Sequence, residues 1–114
     1  MIYEIRDYTI EEQWFVKYVF WVKNYFMPYA KERIDIINFW IYTDLDTEVE
    51  GKSPIVSTNG QPNIKWVTKY KNKAEIDKFF ERLETNPKWD KVWSKQPNPD
   101  AYIQEYARFF KSIK

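Results

Sequence analysis

Alternating apolar and polar residues open the chain and predict a β-strand over residues 2–9. Side chains alternate between the two faces of a strand, so Glu4 and Arg6 share one face with Ile2 and Tyr8. A carboxylate or a guanidinium in the middle of a strand is costly to bury without a partner. We therefore expect Glu4 and Arg6 to be paired, exposed to solvent, or in contact with a wet cavity.

A helix is predicted next, because Thr9 and Glu12 have the spacing of a capping box. We expect it to run to about Met27, where Pro28 should end or kink it. Two adjacent apolar stripes follow its length, formed by Trp14, Tyr18, Trp21 and Tyr25 and by Phe15, Val19, Val22 and Phe26. The polar strip that remains is narrow, which predicts a helix covered on more than one side.

Apolar and β-branched residues predict a second, well-buried strand over residues 34–42. A third strand is predicted over residues 64–71, antiparallel to the second. The connection between them, about residues 43–63, contains turn-forming glycine, proline and asparagine. Connections of this length in small domains are often lids or disordered segments.

Two further helices are predicted after the third strand. Asn72 is the expected N-cap of the first, because its side chain can accept a hydrogen bond from a free backbone amide. Asn86 followed by Pro87 has the favoured order for the start of a second, shorter helix. The apolar face of the first helix comprises Ile76, Phe79, Phe80 and Leu83.

The last segment, residues 100–114, fits two structures. Its apolar positions fit a helix, whereas the alternation of Ile103, Glu105 and Ala107 fits a strand. The preceding order of strand, helix, strand, strand and helix requires a closing strand to complete a split βαβ sheet. The sequence therefore predicts an α+β class, ferredoxin-like βαββαβ fold with an antiparallel sheet, formed by a single domain over residues 1–114.

Composition excludes several kinds of chemistry. The chain has no Cys and no His, which excludes disulfides, zinc-thiolate sites, thiol nucleophiles and catalysis or haem ligation by histidine. With Gly 2 in the whole chain, phosphate-cradling loops are effectively excluded as well. The acidic residues Asp44, Asp46, Glu48 and Glu50 alternate along an extended segment, which predicts a solvated edge and not a calcium loop. We expect neither a metal site nor a cofactor.

Charge and hydropathy limit the partners. Lys+Arg 18 against Asp+Glu 17 leaves a net charge of +1, which argues against nucleic acid as a partner. The most apolar run, residues 14–27, is interrupted by Lys17 and Lys23 and is too short to span a bilayer. No targeting signal is visible, so we expect a cytoplasmic protein without membrane contact, although a secreted protein with its signal trimmed would look the same.

Aromatic residues are the outlier of the composition, with 6 Trp, 9 Tyr and 8 Phe among 114 residues. Large aromatic side chains can fill a small core. The surplus can equally line a ligand pocket or a subunit interface. An aromatic platform for sugars or single-stranded nucleic acid is a third interpretation, which the near-neutral charge disfavours.

Three motifs resemble the NIPSNAP family of the dimeric α/β-barrel superfamily. They are the opening Met-Ile-Tyr-Glu-Ile-Arg-Asp-Tyr of residues 1–8, the strand and helix of residues 66–83, and Asn-Pro-Lys-Trp at residues 86–89. Residues 103–111 are similar to the last strand of the family. The chain departs from the family at Asn38, where glycine is usual, and in the longer connection at 43–63.

The resemblance implies a homodimer in which two sheets pack face to face, and a ligand cavity between each sheet and its own helices. It implies a small hydrophobic or aromatic molecule as ligand, and an activity without a cofactor, such as proton transfer or oxygenation of an acid. In that interpretation Glu4 is a catalytic base and Arg6 anchors and stabilises the negative charge. The remaining expected substrate contacts are Tyr8, Asn38, Trp40, Trp66 and Thr68.

Each of these assignments has a structural alternative. Glu4 and Arg6 form a cross-strand or interfacial ion pair with no catalytic role, since ion-pair networks also perturb acidic groups. Asn38, Trp40 and Trp66 resemble the set that holds a phenolic substrate in cofactor-free monooxygenases of the superfamily, but a buried Trp is also ordinary core. The rival to a small-molecule function is a homodimeric interaction module without enzymatic activity, and it predicts a filled interior.

Overall fold

One antiparallel sheet and a layer of helices form the chain, for which the computed structural model describes residues 1–114. The strands are β1 (Ile2–Ile10), β2 (Asp35–Ile41), β3 (Ile64–Tyr70) and β4 (Tyr102–Phe110), in the sheet order β2-β3-β1-β4. The helices are α1 (Glu12–Trp21), α2 (Met27–Ala30), α3 (Lys73–Leu83) and α4 (Pro87–Ser94). This βαββαβ order confirms the ferredoxin-like α+β fold, including the closing strand β4.

The two central strands bring the polar residues of β1 to the face that the helices cover, which we call the helix face. In the β1–β3 register Glu4 lies opposite Thr68, and Arg6 lies opposite Trp66. Paired residues of antiparallel strands point to the same side of the sheet. Tyr8 shares this side and packs into the main core cluster.

The opposite face, which we call the open face, has no helix against it. Its apolar positions are Tyr3, Ile5, Trp40, Val67, Tyr106 and Phe110. Trp40, Tyr106 and Phe110 are each more than 40% exposed in the single chain. At the centre of this face, the buried Asp7 carboxylate lies 2.7 Å from Lys65 Nζ and also accepts a hydrogen bond from Arg108.

The first helix differs from its prediction at both ends. β1 continues through Ile10, so Thr9 is part of the strand and the capping box is not formed; the N-cap residue Glu11 makes no side-chain cap hydrogen bond. At the other end, a π-helical turn over Val22–Phe26 joins α1 to α2, and the helical path continues past Pro28 to Ala30. Pro28 stands directly after the π-helical turn, in the first turn of α2.

Burial of the second strand and the first helix is less complete than the sequence predicts. β2 is an edge strand, and only Ile36 and Phe39 of its residues are half-buried. Val16 and Phe20 on the outer side of α1 are exposed. A second contact of this helix lies at its C-terminal end, where Trp21 Nε1 donates to the Val92 carbonyl of α4 at 2.8 Å.

The remaining local predictions agree with the structure. Asn72 accepts from the Glu75 amide at 3.0 Å, and Asn86 accepts from the Lys88 amide at 2.9 Å, as expected for N-caps. The connection over residues 43–63 contains no helix or strand. Asn63, at its end, is tied to β1, since its side chain bonds both the amide and the carbonyl of Ile10 at 2.9 Å.

Candidate functional site

Arg6 is held in a fixed position on the helix face by its two neighbours along β1. Its Nε lies 3.1 Å from Glu4 Oε1, and one terminal nitrogen donates to Glu4 Oε2 at 3.4 Å. The other terminal nitrogen donates to the Tyr8 hydroxyl at 3.2 Å. A guanidinium has five N–H donors. These contacts leave one N–H on each terminal nitrogen of Arg6 free for another acceptor.

Aromatic rings surround the Arg6 guanidinium on its remaining sides. Its central carbon lies 4.5 Å from the Phe80 ring centroid and 6.0 Å from that of Trp66. Ring faces attract cations, and they also exclude water. Burial lowers the pKa of Arg6, but Tyr8 and Glu4 outweigh this effect and raise it above its ordinary value, so the group stays charged.

A cavity of about 290 Å³ lies between the helix face and the helices, with Arg6 in its wall. Aromatic side chains form most of the lining, which comprises Tyr8, Tyr18, Trp21, Phe26, Phe39, Trp66, Phe80, Trp89, Trp93 and Tyr102. The other lining residues are Arg6, Leu83, Pro99 and Glu105. The volume is at the lower limit of the ~300–1,000 Å³ that is usual for ligand pockets.

Four helical segments bring aromatic residues to this cavity, namely α1, the π-helical turn, α3 and α4. Phe26 comes from the π-helical turn and packs edge-on against Trp66, with ring centroids 5.4 Å apart. Trp89 and Trp93 come from one side of α4 and stack at 5.8 Å. π-Helical turns are rare and occur often at functional sites. Here the turn places Phe26 against the sheet.

Tyrosine hydroxyls add hydrogen-bond donors to the same wall. The Tyr102 hydroxyl donates to the Tyr18 hydroxyl at 3.1 Å. Burial raises the pKa of Tyr8, although the Arg6 guanidinium offsets part of this, and burial raises the pKa of Tyr18 well above 10. Burial also raises the pKa of Tyr102, to about 12. The hydroxyls therefore stay protonated near neutral pH and can donate hydrogen bonds, but none of them is a base.

This pKa shift has a measurable effect on stability. Because the pKa of Tyr102 is about 12 in the folded chain and ~10 when unfolded, its contribution is complete below pH ~10 and is lost as the pH rises towards 12. We expect Tyr102→Phe to weaken the fall in the free energy of unfolding between pH 9 and 11.5, measured by urea denaturation. Tyr25→Phe, at an exposed position of the π-helical turn and outside the open face, is the control and should leave the pH dependence unchanged. Equal slopes for both variants would contradict the assignment.

The structure brings only some of the expected site residues together. Arg6, Tyr8 and Trp66 line the cavity. Glu4 and Thr68 lie on the same face but are each only 1% exposed, and neither is part of the lining. The Glu4 carboxylate faces Arg6, so it holds the guanidinium in place behind the cavity wall.

Asn38 and Trp40 lie apart from this cavity. A β-bulge between Ile36 and Asn38 places Phe39 opposite Trp66, and their rings stack with centroids 5.8 Å apart. Asn38 is then opposite Val67, and Trp40 is opposite Lys65, both positions of the open face. The extra residue of the bulge reverses the alternation along β2, so Asn38 and Trp40 lie on the face opposite to Ile36.

Glu105 is a carboxylate of the lining that the sequence did not single out. It lies opposite Tyr8 in the β1–β4 register and is exposed to solvent. The alternation of Ile103, Glu105 and Ala107 indicates that these three residues share one face of a strand. Only the pairing with β1 shows which face of the sheet that is. Phe39, Tyr18 and Tyr102 were missed for the same reason, since their place in the site depends on contacts between distant segments.

Two observations concern other classes of site. No group of three or more His, Cys, Asp or Glu side chains is placed to hold a metal ion. No helix is long and apolar enough to cross a membrane. The acidic residues at 44–50 lie in the connection between β2 and β3, outside the sheet.

Comparison with known proteins identifies the fold. No family model and no curated protein matches the sequence. Among solved structures, an uncharacterised NIPSNAP domain protein from Burkholderia xenovorans is 13% identical, with a TM-score of 0.72 over 98% of this chain and 94% of that one. A NIPSNAP family protein of unknown function from Agrobacterium tumefaciens is 17% identical, with a TM-score of 0.70 over 98% of this chain and 87% of that one.

A third similar structure is a dimeric ferredoxin-like protein of unknown function from Jannaschia sp. CCS1. It is 10% identical, with a TM-score of 0.53 over 97% of this chain and 98% of that one. At these identities the likeness concerns the fold. The resemblance noted in the sequence is confirmed at that level: this chain has the ferredoxin-like fold of NIPSNAP family proteins.

Proposed function

We propose that this protein binds a small, flat aromatic or hydrophobic acid in the cavity between its sheet and its helices. The observation that carries the proposal is a single fixed cation, Arg6, in the wall of an otherwise mostly aromatic cavity. The anionic group of the ligand accepts the two free N–H groups of Arg6, and its ring packs among Trp66, Phe39 and Phe80. A dry, apolar surrounding strengthens such a charge-assisted pair.

The donor groups of the site support an anion as the ligand. Arg6 is permanently charged, and the hydroxyls of Tyr8, Tyr18 and Tyr102 remain protonated because burial raises their pKa values. The hydroxyls of Tyr8 and Tyr18 can donate to a carboxylate, a phenolate or an enolate oxygen, whereas the Tyr102 hydroxyl already donates to Tyr18. In this proposal Glu4 is a positioning residue for Arg6, and Glu105 is the carboxylate within reach of a bound ligand.

The proposal concerns binding and is compatible with catalysis by the same groups. A cofactor-independent proton transfer or oxygenation needs the acid to be held and its negative charge stabilised, which is what Arg6 and Tyr8 supply. The alternative of an interaction module without a ligand requires a filled interior. The cavity of about 290 Å³ favours the small-molecule function over that alternative.

Binding of 1-naphthoate and of its neutral counterpart 1-naphthalenemethanol tests the proposal. Trp21, Trp66, Trp89 and Trp93 line the cavity, so intrinsic fluorescence reports occupancy. We expect saturable quenching by both compounds, with naphthoate at least tenfold tighter, which corresponds to a charge-assisted contact of ~1.5–3 kcal/mol.

Matched variants assign this preference to Arg6. The double variant Glu4→Gln/Arg6→Gln removes both charges of the pair together and should abolish the preference for naphthoate. Arg108→Gln makes the same arginine substitution on the open face and should preserve it. Equal affinity of the unaltered protein for the acid and the alcohol, or no binding of either, would refute the proposal.

We also propose that the open face forms a homodimer. Its apolar residues are partly exposed in the single chain, and large exposed apolar patches usually mark interaction sites. The cluster of Asp7, Lys65 and Arg108 at its centre can pair with its own copy across a two-fold axis, because it carries both charge signs. The similar structure from Jannaschia is described as dimeric, which supports this assembly.

A further inference from the structure

A second concave site lies at the sheet edge where β2 begins and β3 ends. It is a groove of about 570 Å³ formed by α2, the first residues of β2, the end of β3 and α3. Its lining shares no residue with the aromatic cavity around Arg6. Anything that binds in the groove is therefore recognised by a separate set of side chains.

Positive charge is concentrated in this groove. Five basic residues line it, namely Arg33, Lys69, Lys71, Lys78 and Arg82, against two acidic ones, Asp35 and Glu75. The chain as a whole has a net charge of only +1. Arg33 has a distant pair with Glu32 at 3.9 Å, and none of the other four basic residues has an acidic partner within 4.0 Å. The groove therefore carries positive charge that acidic side chains within 4.0 Å do not neutralise.

Two of the groove cations repel each other within one helix. Lys78 and Arg82 are four residues apart on α3, and like charges at this spacing repel each other by a few tenths of a kcal/mol. Both line the groove. A bound anion would relieve this repulsion, whereas the free protein has no partner for either side chain within 4.0 Å.

The floor of the groove is an aromatic surface. Tyr29, Tyr70 and Phe79 line it and are each less than 9% exposed. The Tyr70 hydroxyl itself is buried and is not exposed to the groove, so Tyr70 contributes only ring surface. On the groove wall, the Arg33 guanidinium lies 3.8 Å from the Tyr29 ring centroid.

We infer that this groove binds a small organic phosphate, with the phosphate group among Lys71, Lys78 and Arg82 and an apolar or aromatic part against Tyr29 and Phe79. A phosphate dianion matches several converging cations better than a single carboxylate does, because it has more charge and more acceptor oxygens. A concave site with a buried aromatic floor suits a small molecule better than a membrane surface or an extended peptide, both of which need a broad exposed face.

Titration calorimetry with phenyl phosphate at pH 8 tests this inference, with phenyl sulfate as the singly charged comparison. We expect saturable binding of phenyl phosphate that is at least fivefold tighter than that of phenyl sulfate. The variant Lys78→Gln/Arg82→Gln should weaken phenyl phosphate by about tenfold or more, as expected for the loss of two charge-assisted contacts.

The controls separate this site from the aromatic cavity and from general charge effects. Lys88→Gln/Lys91→Gln removes the same charge from α4, outside the groove, and should leave phenyl phosphate affinity unchanged. The affinity for 1-naphthoate should be the same in all of these variants, so failure of one site is distinguishable from failure of the other. Equal weakening by both double variants would overturn the inference. So would binding only to vesicles that contain phosphatidic acid, or equally tight binding of a hexaglutamate peptide.

Discussion

Replacing Arg6 by methionine is expected to lower the free energy of unfolding by about 3–5 kcal/mol. Glu4 is 1% exposed, and Arg6 is its ion-pair partner. Without the guanidinium the carboxylate is left buried and uncompensated, and the penalty arises from its desolvation. Urea denaturation at neutral pH measures the loss directly.

The double variant Glu4→Leu/Arg6→Met separates the cost of an orphaned charge from the value of the pair. Since replacing a whole buried ion pair by apolar residues is often neutral, it should be more stable than Arg6→Met alone. Lys73→Met is the control, because its ion pair with Asp77 on α3 is more than half exposed at both side chains. Its expected cost is below about 1 kcal/mol. If Arg6→Met costs no more than this control, Glu4 does not depend on Arg6.

Placing a lysine at the centre of the open face is expected to dissociate the proposed homodimer. Val67 lies opposite Ile5 and between Lys65 and Lys69 along β3, so Val67→Lys buries an unpaired charge and brings like charges together in the proposed interface. Burial of an unpaired charge costs several kcal/mol. The dissociation constant should therefore rise about a hundredfold or more. Sedimentation velocity over a range of protein concentrations measures this change.

Val16→Lys is the control for this prediction. Val16 is 80% exposed on the outer side of α1, so the same substitution there should leave the dimer intact. A monomeric unaltered protein, or a Val67→Lys variant that sediments like the dimer, would contradict the proposed interface. Circular dichroism of both variants distinguishes dissociation from unfolding.

Local signals in the sequence were enough for most of the fold. Asn72 and Asn86 cap their helices as predicted, because capping depends on atoms a few residues apart. The alternation of β1 placed Glu4, Arg6 and Tyr8 on one face for the same reason. The capping box at Thr9 failed because pairing with β4 extends β1 through Ile10, and strand pairing is a contact between distant segments.

The candidate site was less predictable from the sequence, and β2 shows why. One additional residue at the bulge exchanges the faces of the following residues, so Phe39 and not Asn38 contacts Trp66. Glu105 enters the cavity only because β4 pairs with β1 in one register. No periodicity within a single segment contains information of this kind.

Residues that are neighbours along the chain determined the first three strands, the helices between them and the charged pair on β1, whereas the closing strand was predicted from the order of the elements and from the family resemblance. The tertiary structure alone decided that Glu4 lies behind Arg6, that aromatic residues from α1, β2, α4 and β4 line the cavity beside Arg6, and that five basic residues line one groove. These features depend on register and on packing between distant segments. The free energy of these contacts depends on buried area and on the distances between charges in the folded chain, and no pattern within one segment specifies either quantity.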